Sequence, residues 1–283
     1  MGSSTNIAVG EALIDPVLLV ELLALGLVSG FLAGLLGIGG GMLMVPFLTL
    51  ILSQRGVEAG MAVKMAIATS MATIMFTSIS SVRAHHKRGA VRWDLVRGLA
   101  PGILLGGLMA GAGIFALLKG SWLALVFAGF VGFSAVQMLR NKKPLPNRQM
   151  PGTAGQVGAG AGIGLLSGLV GAGGGFVSVP FMAWCNIPMH NAVATSAALG
   201  FPIALANTMG YLISGNSLEA ALPGAFGYLY LPALVVIASV SVTMAPLGAR
   251  AAHALNVAQL KRAFAGLLFL LAAYMLYRGL SAL

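Results

Sequence analysis

The chain reads as apolar stretches divided by short polar ones, at approximately 17–37, 42–53, 61–82, 95–117, 121–139, 154–170, 176–185, 190–213, 229–249 and 262–281. Most of these approach the roughly 20 residues that a helix needs to cross a bilayer. The stretches 42–53 and 176–185 are too short to do so. Alternating apolar and polar residues in segments of about ten, the signature of a membrane barrel, do not occur. The pattern therefore predicts an all-α polytopic membrane protein.

Both short stretches follow a glycine run, and the two runs are one motif written twice. Gly37-Ile38-Gly39-Gly40-Gly41-Met42-Leu43-Met44-Val45-Pro46-Phe47 recurs as Gly171-Ala172-Gly173-Gly174-Gly175-Phe176-Val177-Ser178-Val179-Pro180-Phe181. Three consecutive glycines break a helix, because each loses more backbone freedom on ordering than any other residue. Irregular backbone at membrane depth survives only where it is buried in protein or lines a cavity. Paired interruptions in two halves of a chain point to a transporter's substrate site. Other echoes support a duplication: Ala68-Thr69-Ser70 recurs as Ala194-Thr195-Ser196, and Phe127-Ala128-Gly129 as Phe264-Ala265-Gly266. The expected organisation is a tail (1–16), a first transmembrane repeat (17–140), a cytoplasmic linker (141–153) and a second repeat (154–283). Each repeat would be a glycine-broken helical hairpin plus about three further transmembrane helices.

Composition removes the soluble classes. The chain is 58% hydrophobic and 8% charged, against about 25% charged in soluble domains. Its net charge of +10 does not imply a nucleic-acid partner, because the basic residues lie in loops between apolar spans, where they set orientation. The partner implied is the lipid bilayer. A single cysteine, Cys185, gives neither a disulfide nor metal-ligand spacing, so neither metal nor cofactor is expected.

Arg83, His85, His86, Lys87, Arg88, Arg92 and Arg97 mark one cytoplasmic loop, and Arg140, Lys142, Lys143 and Arg148 mark the linker as another. Residues 214–227 carry only Glu219 and belong outside, and Arg250, His253, Lys261 and Arg262 return to the inside. The loop after the first Ala-Thr-Ser is thus inside and the loop after the second is outside. If each glycine segment is the tip of a hairpin returning to its own side, the two repeats are inverted. Parallel repeats of four ordinary spans are the alternative.

The candidate chemistry is that of an anion site. A helix starting after the glycines presents unpaired N–H groups and a positive dipole end, and two such starts meeting form a cradle for an anion. The substrate-binding candidates are Gly39, Gly40, Gly41, Gly173, Gly174 and Gly175 through their backbone, and Thr69, Ser70, Thr195 and Ser196 through hydroxyls. Those hydroxyls alternatively bond within their own helices. Asn207, an amide within a span, needs partners or a ligand; Arg250 either snorkels or guards the cytoplasmic entrance. The pairs Gly30/Gly34, Gly102/Gly106, Gly107/Gly111 and Gly164/Gly168 read as helix-packing glycines. None of the six acids (Glu11, Asp15, Glu21, Glu58, Asp94, Glu219) sits mid-span, which disfavours cations and favours anions as substrate. There is no Gly-x-Ser-x-Gly elbow, His-Glu-x-x-His motif or phosphate-binding loop, so the chain is not expected to be an enzyme.

The doubled Gly-x-Gly-Gly-Gly-(x4)-Pro-Phe motif, each copy followed by Ala-Thr-Ser, resembles the sulfite exporter TauE/SafE family, also called the toluene sulfonate uptake permease family, over about 17–281. Gly248-Ala249-Arg250 also fits that pattern, whereas the first repeat has Gly111-Ala112-Gly113 near the corresponding place, without an arginine. The resemblance implies transport of sulfite, organosulfonates or related sulfur-containing anions across the bacterial inner membrane. The resulting expectation is a secondary transporter working by alternating access, with the anion at the bilayer midplane. An anion channel, or a permease of the same fold for a different organic anion, is the alternative.

Overall fold

The computed structural model describes residues 15–36, 40–140, 148–251 and 257–283. The expected N-terminal tail (but for its last two residues), Gly39, most of the linker and His253 lie outside these residues. The helices are α1 (Pro16–Leu36), α2 (Gly41–Gln54), α3 (Ala59–His86), α4 (Trp93–Met109), α5 (Phe115–Leu117), α6 (Gly120–Arg140), α7 (Thr153–Val170), α8 (Gly175–Trp184), α9 (Met189–Gly215), α10 (Leu231–Ala251) and α11 (Val257–Ser281). A π turn at Ala110–Ile114 joins α4 to α5, and a two-stranded hairpin, Ala225–Phe226 with Leu229–Tyr230, precedes α10. Among the described residues, eight helical stretches are long and apolar enough to cross a membrane, and Gly41–Gln54 and Gly175–Trp184 are the shorter apolar helices. The protein is an all-α, multi-pass membrane protein. Every apolar stretch of the sequence becomes a helix; the π turn and the small β-hairpin are additions.

The two long central helices carry the fold. The span windows of α3 and α9 are 72% buried, against 33–44% for the other six, so the others surround them. Around this pair the packing repeats: α1 lies on α10 and α7 on α4, while α6 pairs with α11. The glycines permit the close approach. A Cβ on Gly34 would fall 1.9 Å from the Ala245 carbonyl oxygen, and one on Gly30 would fall 2.5 Å from the Ser241 Cα. In the other pair, Gly106 lies against Ala161, and Gly164 against Ile103 and Gly107. These are small-residue helix crossings in which backbones touch. The contacts advance in the same direction along both partners, so α1 runs parallel to α10 and α4 parallel to α7.

The two short helices turn back toward the start of the preceding helix and pack on the central pair, α2 on α3 and α8 on α9. Arg55, just beyond α2, pairs with Asp15 at the start of α1 and reaches Glu21 at 3.5 Å. Arg148, ahead of α7, stacks on Trp184 at the end of α8, with 4.8 Å from guanidinium carbon to ring centroid. In both hairpins the open end is clasped and the glycine turn is the far tip.

Candidate substrate site at the glycine turns

The tips of the two hairpins meet. A Cβ on Gly41 would lie 2.2 Å from the Gly171 carbonyl oxygen and 2.9 Å from the Ala172 Cα. Gly171 caps α7 at φ +71°, and Gly174 caps the head of α8 at φ +74°. Both conformations are left-handed, where glycine alone is unstrained. The α8 ladder begins with Val177 and Ser178 donating to the Gly174 carbonyl at 3.0 and 2.8 Å. The N–H groups of Gly175 and Phe176 therefore head the helix without a backbone acceptor among the described residues.

The central helices pin the turns. Ser70 of α3 donates to the Gly171 carbonyl at 3.0 Å. On the other side, Ser178 of α8 donates to the Ser196 hydroxyl of α9 at 2.8 Å, which leaves the Ser196 proton available to another acceptor. The two threonines occupy matching roles. Thr69 accepts the Tyr230 N–H at the start of α10, and Thr195 accepts the Arg92 N–H at the start of α4, each at 3.0 Å.

A cavity of about 30 Å³ lies beside this junction, lined by Ala33, Ile74, Thr77, Ser78, Ser81, Gly173, Ser196, Ala197 and Gly200. Exposure is zero at Thr69, Ser70 and Thr73 and reaches 5–7% at Thr77, Ser78 and Ser81. The crevice thus opens toward the C-terminal end of α3. The opposite end is closed by Phe115 stacked on Tyr211 and Tyr228, with ring centroids 4.3 and 5.2 Å apart, and with the Lys64 ammonium over Phe115 and Tyr228. The Ser81 and Ser167 hydroxyls are buried without a partner among the described residues, and Ser167 faces Gly174. Among the described residues no charged side chain lines the cavity, so what they offer a ligand is hydroxyl protons and backbone dipoles.

The structure gathers Gly40, Gly41, Gly173, Gly174, Gly175, Ser70 and Ser196 at this junction. Thr69 and Thr195 lie on the same central helices but hold the starts of α10 and α4. Asn207 stands elsewhere: its amide donates to Gly164 at 3.3 Å and Ile203 at 2.8 Å, in a pocket formed by Gly107, Gly111 and Gly168. It ties α9 to α7, and its amide oxygen is buried without a partner among the described residues. Arg250 is exposed at the end of α10, beside Arg83 and Lys87, and does not line the cavity. Sequence reasoning missed Thr77, Ser78 and Ser81. The signal was present, because Ser70, Thr73, Thr77 and Ser81 recur at three- and four-residue steps and so form one polar stripe on α3.

The comparisons with known proteins return membrane transporters. The chain shares 35% identity over 255 residues with a probable membrane transporter protein of Haemophilus influenzae, covering 89% of this chain and 96% of that one. It shares 27% over 269 residues with a probable membrane transporter protein of Methanocaldococcus jannaschii, covering 92% and 96%. A Bacillus subtilis probable membrane transporter protein, YunE, is 30% identical over 218 residues, covering 70% and 79%. No solved structure matches. The family model described as Sulfite exporter TauE/SafE matches residues 22–275. The chain belongs to the sulfite exporter TauE/SafE family of membrane transporters.

Proposed function

We propose that this transporter moves a small sulfur-containing oxyanion, such as sulfite or an organosulfonate, across a bacterial inner membrane by alternating access between two inverted repeats. The observation that carries the reading is the meeting of the two glycine turns beside a cavity whose polar groups, among the described residues, are hydroxyls and backbone. An anion there is held by O–H and N–H donors and by the head of α8, whose dipole favours negative charge. Gly40, Gly41, Gly173, Gly174 and Gly175 form the cradle and Ser196 donates to it, with Ser70 bracing Gly171. Ser81 supplies a further hydroxyl.

Inversion is supported by the hairpin clasps and by the helix directions. Helices α1, α3 and α10 run one way, and α4, α7 and α9 the other. The 14 residues of α2 and 10 of α8 extend about 21 and 15 Å at 1.5 Å per residue. Placed tip to tip from opposite faces, they span slightly more than the roughly 30 Å hydrocarbon core, which sets the glycine turns near its middle. The cavity holds about one or two waters, less than an oxyanion needs. The conformation is therefore a closed one with its crevice on the cytoplasmic side, and substrate entry requires α1, α3 and α9 to separate. The aromatic plug around Lys64 seals the outer side in this state.

Uptake into proteoliposomes, with sulfite, thiosulfate, sulfoacetate and an aryl sulfonate compared with acetate and phosphate, tests the substrate class. Saturable flux of at least one sulfur oxyanion is expected; flux confined to acetate or phosphate would overturn the assignment.

A further inference from the structure

A second opening, of about 570 Å³, lies between the C-terminal halves of α3 and α10, lined by Phe76, Ile79, Ser80, Arg83, Ala84, Lys87, Arg88, Val242, Pro246 and Arg250. It is separate from the substrate crevice. At 100° per residue, Phe76, Ile79, Ser80 and Arg83 occupy the side of α3 opposite to Ile74, Thr77, Ser78 and Ser81. Its face is open to the surroundings of the bundle, since Phe76 is 42% exposed.

The groove is graded. Its inner part, toward the middle of the spans, is apolar (Phe76, Ile79, Val242, Pro246), and its outer part is cationic (Arg83, Lys87, Arg88, Arg250). No acidic side chain among the described residues lines it. Ser80 donates to the Val242 carbonyl at 2.9 Å, which fixes the floor. We propose that this groove holds one anionic phospholipid, its phosphate among Arg83, Lys87 and Arg250 and the upper part of an acyl chain against Phe76, Ile79, Val242 and Pro246. The occupant follows from complementarity: a small soluble anion leaves the apolar half unfilled, and a zwitterionic lipid brings a cation of its own next to Arg83, Lys87 and Arg250. Basic pockets between helices on the cytoplasmic side suit anionic headgroups.

Topology charges alone do not account for the arrangement. Such charges need only lie in the loop, whereas here they come from the ends of two different helices and converge on one groove. The matching end of α9 reads Tyr211-Leu212-Ile213-Ser214-Gly215-Asn216, without a charge, so the duplication did not impose the cationic half.

The test uses delipidated, detergent-purified full-length protein. Melting is followed with phosphatidylglycerol, phosphatidylcholine, glycerol phosphate and inorganic phosphate added separately. A ligand that binds only the folded state raises the midpoint, so phosphatidylglycerol should raise it by several degrees while the other three leave it in place. The Arg83→Gln/Arg250→Gln protein should lose most of that rise, and Arg83→Lys/Arg250→Lys should retain it. Should the glutamine pair not fold, Arg250→Gln alone is expected to lose part of the rise. An undiminished rise in the glutamine variants, an equal rise with inorganic phosphate, or no rise with phosphatidylglycerol would overturn the proposal.

Discussion

Gly41 and Gly171 touch backbone to backbone, so closely that a methyl group on Gly41 would fall 2.2 Å from the Gly171 carbonyl oxygen. Neither partner can yield cheaply. Gly171 is held in a left-handed cap, and its carbonyl already accepts the Ser70 hydroxyl. Gly41→Ala should therefore destabilise the protein by about 1–3 kcal/mol, the usual cost of forcing atoms into a packed site. Gly162→Ala, inside α7 where nothing lies within 4 Å, should leave the melting midpoint unchanged or raise it slightly, because alanine favours a helix interior over glycine. Equal midpoints for the two variants would mean that the tips do not touch.

Ser178 and Ser196 share one hydrogen bond but face different surroundings. Loss of either hydroxyl should cost about 0.5–1.5 kcal/mol of stability. Only Ser196 lines the cavity, so Ser196→Ala should raise the KM for transport several-fold more than Ser178→Ala does. Equal KM changes would make Ser196 a bracing residue without a substrate contact.

The Arg55–Asp15 clasp has a defined pH window. The hydrogen bond from Arg55 holds the Asp15 carboxyl below its ordinary value of 3.8. A carboxylate with a depressed folded-state pKa contributes stability that is present above the unfolded value and lost as pH falls through the folded one. The difference in melting between wild type and Asp15→Asn should thus be constant from about pH 5 to 8 and shrink below about pH 4. A difference that changes between pH 6 and 8 would assign the effect to another group.

Orientation is open to labelling. In a Cys185→Ala background, cysteine at Ser217, exposed just beyond α9, should react with an impermeant maleimide from the periplasmic side. Cysteine at Gln149, exposed ahead of α7, should react only after the cytoplasmic side is opened. Labelling of both from one side contradicts the inverted arrangement.

Much of the architecture was legible in the chain because hydrophobicity alone decides which segments cross a bilayer and glycine runs alone decide where they break. The short stretches after Gly41 and Gly175 became α2 and α8, and the packing glycines Gly30, Gly34, Gly102 and Gly106 lie at helix crossings. What stayed hidden depends on which faces meet. The sequence says that Asn207 needs partners or a ligand; the fold supplies acceptors for its N–H groups at Gly164 and Ile203, in a pocket that Gly107, Gly111 and Gly168 open. Arg250, which by sequence either snorkels or guards the cytoplasmic entrance, lines the groove with Arg83 and Lys87 and not the cavity, a placement that only the packing of α10 on α3 decides. The short π turn at Ala110–Ile114 left no mark in an apolar, glycine-rich stretch, since it changes the hydrogen-bond step and not the hydropathy.

The claim that the two glycine turns form one anion site is tested most directly at Gly200. A Cβ there would lie 3.2 Å from the Ser78 Cβ, close enough that Ser78 must shift by a few tenths of an ångström, and 4.0 Å from the Gly173 carbonyl oxygen, so a valine fills the cavity from a helical position without the backbone strain of a turn. Counterflow of radiolabelled sulfite is measured in proteoliposomes preloaded with unlabelled sulfite. Wild type and Gly162→Ala should show uptake accelerated by internal sulfite, and Gly200→Val should show none while melting within a few degrees of wild type. Full counterflow in Gly200→Val would contradict the account.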